Sequence, residues 1–300
     1  MENTYALFVN HSFLLMISII TSIHNQLGMN KLFYKYLKKN SYHPFQLIVI
    51  DNASTDGSGD FFRKQGVDVI TNKENFSYAF AQNQGIALAK YEYLLFLNND
   101  VVVSKNWDET ALRLMQQHGL EVATCAGTNR MLKKKVTRAH LKKWFAIKYP
   151  LLALGNGYKM LNLMHKLFFL FSFNGFCKRF QNKYKGVVVE GIAGFNVLMT
   201  KSALKKVGCW DERLLAADFD IFLRTKKRAL EVGDIKPVHL LAEVYLHHFL
   251  RLTFKSNYIP FADKDKLIRL EDKWDKNEIR ELMKTCDQIY FDSSRSSADY

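Results

Sequence analysis

Residues 93–103 read YLLFLNNDVVV: five apolar or aromatic residues from Tyr93 to Leu97, then Asn98, Asn99 and Asp100, then three valines. Apolar runs on both sides of a short polar break predict a buried central strand that delivers one carboxylate to a sheet edge. In an open α/β sheet that edge is where ligands bind. The plainer alternative is that Asp100 starts a turn or caps the helix beginning near Trp107, since Asn and Asp are common turn residues. The flanking sequence decides between them.

Upstream, residues 14–21 read as a first strand, and 28–40 as a helix with Leu32, Phe33, Tyr36 and Leu37 at helical spacing. Residues 46–50, QLIVI, form the next strand. Strand, helix and strand at this spacing make a βαβ unit with a parallel pair and a right-handed crossover, so the fold class is α/β. The second strand ends on Asp51 and is followed by NASTDGSG, a loop dense in turn formers. Only Gly28 follows the first strand's turn, which excludes the glycine fingerprint of an ordinary dinucleotide-binding dehydrogenase. Asp51 can accept hydrogen bonds from a ribose or a base, while Asp56 with Ser54 and Ser58 can fix the loop around it; a plain Asx-turn is the competing reading. Residues 67–71 form a short third strand, and residues from Asn75 lead into a helix continuing through Ala89. Asn83 sits inside that helix, where Asn has poor propensity, which marks it as a candidate ligand contact.

The chain has 300 residues, 48% of them hydrophobic, enough for a substantial core. Its four cysteines, Cys125, Cys177, Cys209 and Cys286, are far apart, which suggests neither a zinc site nor a disulfide framework and fits a reducing cytosol. Residues 13–20 are apolar for only eight positions, and acidic Glu2 stands where a signal peptide would be basic. The net charge of +14 is unevenly placed. From Val122 to Val189 there is no Asp or Glu, while fourteen Lys and Arg lie there, from Arg130 to Lys185; the rest of the chain balances at 29 basic against 29 acidic residues.

ISIITSIHNQ, LIVIDNASTDGSG, NFSYAFAQNQGIALAK and YLLFLNNDVVV, in this order and at these separations, resemble family 2 glycosyltransferases of the GT-A fold, particularly the rhamnosyltransferase-like branch. GFNVLMTKSALKKVGCWDERLLAADFDIFLR resembles that family's acceptor-side segment, and VYLHHFLRLTF its closing His-containing strand. The resemblance covers roughly residues 14–254 apart from the basic middle. It implies a GT-A-like, mostly parallel sheet flanked by helices, into which this chain sets a basic helical insert of its own. It also implies that Asp51 contacts the nucleoside, that Asn25 lies near the same site, and that the D-x-D-type motif falls on Asn98, Asn99 and Asp100, with Asp100 binding a divalent metal. Asp218 takes the catalytic-base position. Two departures stand out: Asn98 replaces a carboxylate often seen there, and Ala217 replaces the usual Glu.

A sugar nucleotide's diphosphate must leave carrying negative charge, and a bare carboxylate about 4 Å from another negative charge costs about 4 kcal/mol at an effective dielectric of 20. Asp100 therefore calls for a cation, Mg²⁺ or Mn²⁺. The resemblance puts a metal-contacting His in the closing strand, with His247 preferred over His248; adjacent histidines on a strand point to opposite faces. Inversion needs one base within reach of the acceptor hydroxyl, the role expected of Asp218, whose alternative is an N-cap. Asp220 and Arg224 read as a structural i, i+4 pair.

Residues 128–185 read as a basic insert, with Lys159, Asn162, His165 and Lys166 as a polar stripe on a helix otherwise apolar from Met160 to Phe171. Such a helix is too short to span a bilayer but can lie in its interface; a soluble acceptor-side lid is the alternative. The expected organisation is a transferase domain over 1–262 containing that insert, then a helical extension and disordered tail over 263–300. The expected function is an inverting, metal-dependent transfer of a hexosyl or deoxyhexosyl group from a nucleotide-diphosphate donor. The acceptor is a hydroxyl of a glycan or lipid-linked saccharide, in surface polysaccharide synthesis, at the inner face of the plasma membrane. No nucleic-acid fold signature accompanies the charge, so nucleic acid is not an expected partner. A nucleotidyltransferase, or a non-catalytic protein binding an anionic surface or nucleic acid, is the alternative.

Overall fold

The computed structural model describes residues 15–250, 252 and 260–284; Leu14, the tail over 285–300, and residues 251, 253 and 254 of the closing segment lie outside the described residues. The first half alternates as expected: β1 (Ile17–Ile23), α1 (Leu27–Asn40), β2 (Phe45–Asn52), α2 (Ser58–Lys64), β3 (Asp68–Asn72), α3 (Tyr78–Ile86) and β4 (Tyr93–Leu97). β1 pairs in parallel with both β2 and β4, and β2 with β3. Helices cover both faces of these strands, which is why Ile19, Ile20, Ile48, Val49, Leu94 and Leu95 are all fully buried and the strands read as unbroken apolar runs. The loops after β1, β2 and β4 consequently share one sheet edge.

The decisive stretch divides into two strands. β4 stops at Leu97, and β5 (Val101–Val103) departs to the far side of the sheet. The remaining elements are α4 (Trp107–His118), β6 (Val122–Gly127), α5 (Lys134–Leu152), α6 (Tyr158–Phe168), α7 (Phe173–Lys183), β7 (Val188–Glu190), β8 (Asn196–Thr200), α8 (Lys201–Val207), α9 (Ala217–Glu231), β9 (His239–His248), α10 (Leu270–Lys273) and α11 (Lys276–Met283). The sheet runs β3-β2-β1-β4-β8-β6-β9-β5, with β7 also on β9. β8 lies antiparallel beside β4, and β5 antiparallel to β9, so Asn98, Asn99 and Asp100 form the crossing between the two halves.

The basic insert folds as α5, α6 and α7, and its apolar side joins the core of the sheet. Trp144 is fully buried and donates its indole N–H to Phe249 O (2.9 Å), tying α5 to the end of β9. His165 was expected on a polar stripe but is 1% exposed, while Leu163 faces solvent. The reason is that α6 packs against α1 as well as α5, which turns His165 in among Tyr36, Phe173 and His247. After residue 263 the helical extension consists of a 3₁₀ turn (Lys264–Lys266), then α10 and α11. This segment docks through buried Asp220, which accepts from Trp274 Nε1 (2.8 Å), Lys273 Nζ (2.7 Å) and Arg224 Nε (2.7 Å).

Burial pulls the His165 imidazole down to about 3, with Lys166 adding to it, and pulls His140 down to about 4, with Lys143 adding. Both rings are therefore held neutral in the fold. Their stabilising contribution is present above the ordinary histidine value near 6.5 and is lost as pH falls below it. Thermal denaturation should show stability dropping from pH 6.5 toward pH 4, by about 1.4 kcal/mol per pH unit for each such ring. His165→Leu should flatten that slope.

Candidate active site

The loops after β1 and β2 are locked to each other. Asn25 (φ 58°) and Ala53 (φ 55°) both hold left-handed backbone, a costly conformation that persists where surroundings enforce it. Asn25 N–H donates to Ser54 Oγ (2.8 Å), and Asn25 Oδ1 accepts from Thr55 N–H (2.8 Å). Asp51, buried at the end of β2, accepts from Ser54 N–H (3.0 Å), and its Oδ2 lies over Gly59 so closely that a methyl there would fall within 2.0 Å. Only glycine admits that carboxylate. Asn25 and Asp51 are thus joined through Ser54.

Two residues expected beside them do other work. Asp56 spends its oxygens on Leu27 N–H (2.8 Å) and Ser58 N–H (3.0 Å), bracing the starts of α1 and α2. The Asn83 amide donates to Trp210 O (2.9 Å) and Glu212 Oε1 (2.8 Å) and accepts from Trp210 N–H (3.1 Å). Asp56 thus ties the loop to two helix starts, and Asn83 ties α3 to the segment before α9. Asn99 keeps its place, donating to Asn30 Oδ1 (2.8 Å); fully buried Asn30 in turn donates to Asn25 O and Ser58 Oγ (both 2.9 Å). Asn30 therefore joins the polar break after β4 to the first two loops.

Asp100 meets His248, not His247. His248 Nε2 lies 3.0 Å from Asp100 Oδ1, and its Nδ1 lies 3.2 Å from Asn129 Oδ1. The preference for His247 is corrected by strand alternation: β5 fixes β9 with Val101 opposite His248, so His247 points to the opposite face. There it is fully buried among Trp144, Phe168, Phe169 and Phe249, with Nδ1 3.0 Å from Thr128 Oγ1. Burial raises the Asp100 carboxyl, but the charge and hydrogen bond of His248 together with Lys148 outweigh it and hold it below the usual range. Lys148, from α5, is itself fully buried and bonds Leu250 O.

A carboxylate oxygen facing an imidazole nitrogen at 3.0 Å requires a proton or a cation between them. Metal bonds of about 2.1 Å at right angles place two donors about 3.0 Å apart, so this pair fits adjacent positions of an octahedral Mg²⁺ or Mn²⁺. Asn129 at Nδ1 leaves Nε2 free to ligate. Among the described residues no third His, Cys, Asp or Glu joins them.

Asp218 lies in the first turn of α9, its Oδ2 so close over Gly194 that a methyl there would fall within 1.5 Å. The next residue, Phe195, stacks on the His248 ring (4.6 Å, 24°) and accepts from Asn98 N–H (3.0 Å). Gly194 and Phe195 thereby bring Asp218, His248 and the 98–100 crossing to one wall. Burial raises the Asp218 carboxyl despite two backbone N–H bonds that lower it. The buried Tyr78 hydroxyl, pushed up by burial and then by the Asp218 charge, has no hydrogen-bond partner among the described residues.

The family model for Glycosyl transferase family 2 matches residues 18–208. The chain belongs to glycosyl transferase family 2. Among curated proteins, this family 2 chain is 30% identical over 112 residues to the glycosyltransferase GlyG of Streptococcus pneumoniae, covering 36% of the chain and 37% of the relative. It is 25% identical over 204 residues to the poly-beta-1,6-N-acetyl-D-glucosamine synthase of Staphylococcus epidermidis, covering 63% and 42%. The chain thus spans about two fifths of the length of these relatives. Among solved structures it resembles the mannosyltransferase PcManGT from Pyrobaculum calidifontis in complex with GDP-Man and Mn²⁺ (TM-score 0.51, 12% identity, 81% of this chain and 58% of that one). It also resembles S. aureus TarS 1-349 in complex with UDP (0.50, 17%, 77% and 60%). At such identities the likeness shows the GT-A fold.

Sequence reasoning missed Asn30, Asn129, Lys148, Phe195 and Tyr78. Asn30 alone left a local signal, an amide in the first turn of an apolar helix. Because Asp218 is held toward its neutral form, its contribution to stability is present below the ordinary Asp range and lost as pH rises through the raised value. Asp218→Asn should therefore raise the melting temperature at pH 7.5, with the gain over wild type shrinking toward pH 4.

Proposed function

We propose that this family 2 chain is an inverting, metal-dependent glycosyltransferase that moves a hexosyl or deoxyhexosyl group from a nucleotide-diphosphate donor to a hydroxyl of a glycan or lipid-linked saccharide in surface polysaccharide synthesis. The observation that supports this reading is the Gly194–Phe195 pair, which has the Asp218 carboxylate against one residue and the ring of His248, Asp100's partner, against the next.

Asn25 and Asp51 hold the nucleoside at the edge formed by the first two loops. Asp100 and His248 hold the divalent cation, which when bound neutralises the diphosphate as a Lewis acid. Lys148 adds a fixed positive charge behind them. Asn98 and Asn99 shape the sugar side of the crossing, with Asn99 held by Asn30. Asp218 takes the proton from the attacking acceptor hydroxyl, and a carboxylate with a raised pKa suits that transfer. Tyr78, with its unpartnered hydroxyl, orients a sugar hydroxyl beside it. The transferase domain spans residues 1–262 and contains the 128–185 insert. No helix among the described residues is long and apolar enough to cross a membrane, and the proposed association, at the inner face of the plasma membrane, is peripheral and made through the insert.

The test is mass-spectrometric analysis of a panel of nucleotide sugars incubated with the protein and saccharide acceptors. Transfer should release a free nucleoside diphosphate, stop in excess chelator and resume on adding Mn²⁺. Asp218→Asn should lower turnover about 10²- to 10⁴-fold with little change in donor affinity. Release of pyrophosphate would identify a nucleotidyltransferase, and full activity in chelator would remove the metal from the mechanism.

A further inference from the structure

The turn joining α6 to α7 is built from residues its backbone does not favour. α6 closes with paired bonds: Phe171 N–H donates to Lys166 O (2.7 Å) and Leu170 N–H to Leu167 O (3.1 Å). In this helix ending the left-handed position normally belongs to glycine or asparagine. Here Leu170 holds φ 50° and Phe171 φ 61°. Bulky residues are uncommon in that region, and where they occur a surrounding structure usually enforces them.

Packing does not account for the choice either. Leu170 is 76% and Phe171 70% exposed; among the large apolar side chains of the described residues only Leu154, at 74%, falls between them, and the rest are less exposed than either. The apolar contact that often closes such an ending would join Phe171 to the residue at position 166, which is an exposed lysine. Two strained apolar side chains therefore project into solvent with neither local propensity nor core burial to explain them.

Their surroundings carry one sign of charge. On α6, Lys159, Leu163 and Lys166 form an exposed face leading to Leu170, and α7 exposes Lys178, Arg179 and Lys183. No acidic residue occurs from Val122 to Val189. Glu243, reached by α7 through Gln181, is buried and bound by Arg113 (2.8 Å) and by Gly186 N–H (2.8 Å), so it does not offset the outer cations. An apolar tip between two helices that expose cations and carry no acid matches the interface of an anionic bilayer, where apolar insertion and headgroup attraction add.

We propose that Leu170 and Phe171 form a membrane wedge that inserts into the interface of an anionic lipid bilayer while Lys166, Lys178 and Arg179 meet its headgroups. This rests on the peripheral-membrane reading above and names the contact that makes it. The wedge presents the insert, and the cleft wall that the insert supports, to a lipid-linked acceptor.

The test is co-sedimentation of the full chain with vesicles of phosphatidylcholine alone or mixed equally with phosphatidylglycerol. Wild type should pellet with the mixed vesicles at low salt, release at high salt and ignore pure phosphatidylcholine. L170N/F171N places residues that accept left-handed backbone at both positions, so its melting temperature should hold or rise. Its partitioning should weaken about tenfold or more, as expected for two apolar side chains withdrawn from lipid. K166Q/K178Q/R179Q should weaken binding and flatten its salt dependence. Wild-type pelleting by L170N/F171N would overturn the proposal, as would absence of wild-type binding to the mixed vesicles at low salt. A lowered melting temperature with binding retained would make the turn a structural fixture. Loss of transfer to a soluble acceptor with pelleting intact would make it an acceptor lid, again overturning the wedge. Vesicle binding requires no donor, so its failure is separate from failure of the transferase reading, which donor turnover without vesicles reports.

Discussion

A carboxylate and an imidazole held 3.0 Å apart, with Asn129 at the imidazole's other nitrogen, need a proton or a cation between them. Much of the second half of the molecule serves to keep Asp100 and His248 in that relation. β5 fixes the register of β9, Trp144 and Lys148 fasten the residues just after it, and Phe195 lies flat against the His248 ring. Gly127 admits the close passage of β6 past β9, since a methyl there would fall 2.5 Å from Leu246 O. Each contact is ordinary packing, yet together they fix a polar pair at the edge where the parallel strands end.

The insert follows from the same requirement. Its basic outer surface is conspicuous in the sequence, but its inner surface does the structural work, burying Trp144, Leu161, Met164 and Phe168 against β9 and α1. His247, on the other side of the strand from His248, belongs to that interior. One strand therefore presents one histidine to Asp100 and its neighbour to packing, and the insert is what closes over the packed one.

The parallel half was legible because its signals are local: apolar runs of strand length, the loop after Asp51, the polar break at residues 98–100. Asp100 at the edge and the position of Asp218 at the start of a helix came from the same kind of pattern. What could not be read depends on contacts far apart in the chain. Asn83 looked like a ligand contact because an amide inside a helix has no local reason to be there, and its reason lies at Trp210 and Glu212. The choice between His247 and His248 is a parity set by the β5–β9 register. Asp56 was legible as a residue that fixes its loop, but not its partner: the uncapped start of α1 claims it. The α6 ending escaped because Leu170 and Phe171 extend an apolar helical pattern and carry no glycine to mark a stop.

The account turns on a cation seated between Asp100 and His248, and pulsed electron paramagnetic resonance of Mn²⁺ bound with a nucleoside diphosphate addresses it directly. The account predicts one imidazole nitrogen coupled to Mn²⁺, lost in His248→Ala and kept in His247→Leu. Coupling that survives His248→Ala, or Mn²⁺ binding unaffected by Asp100→Asn, would contradict it.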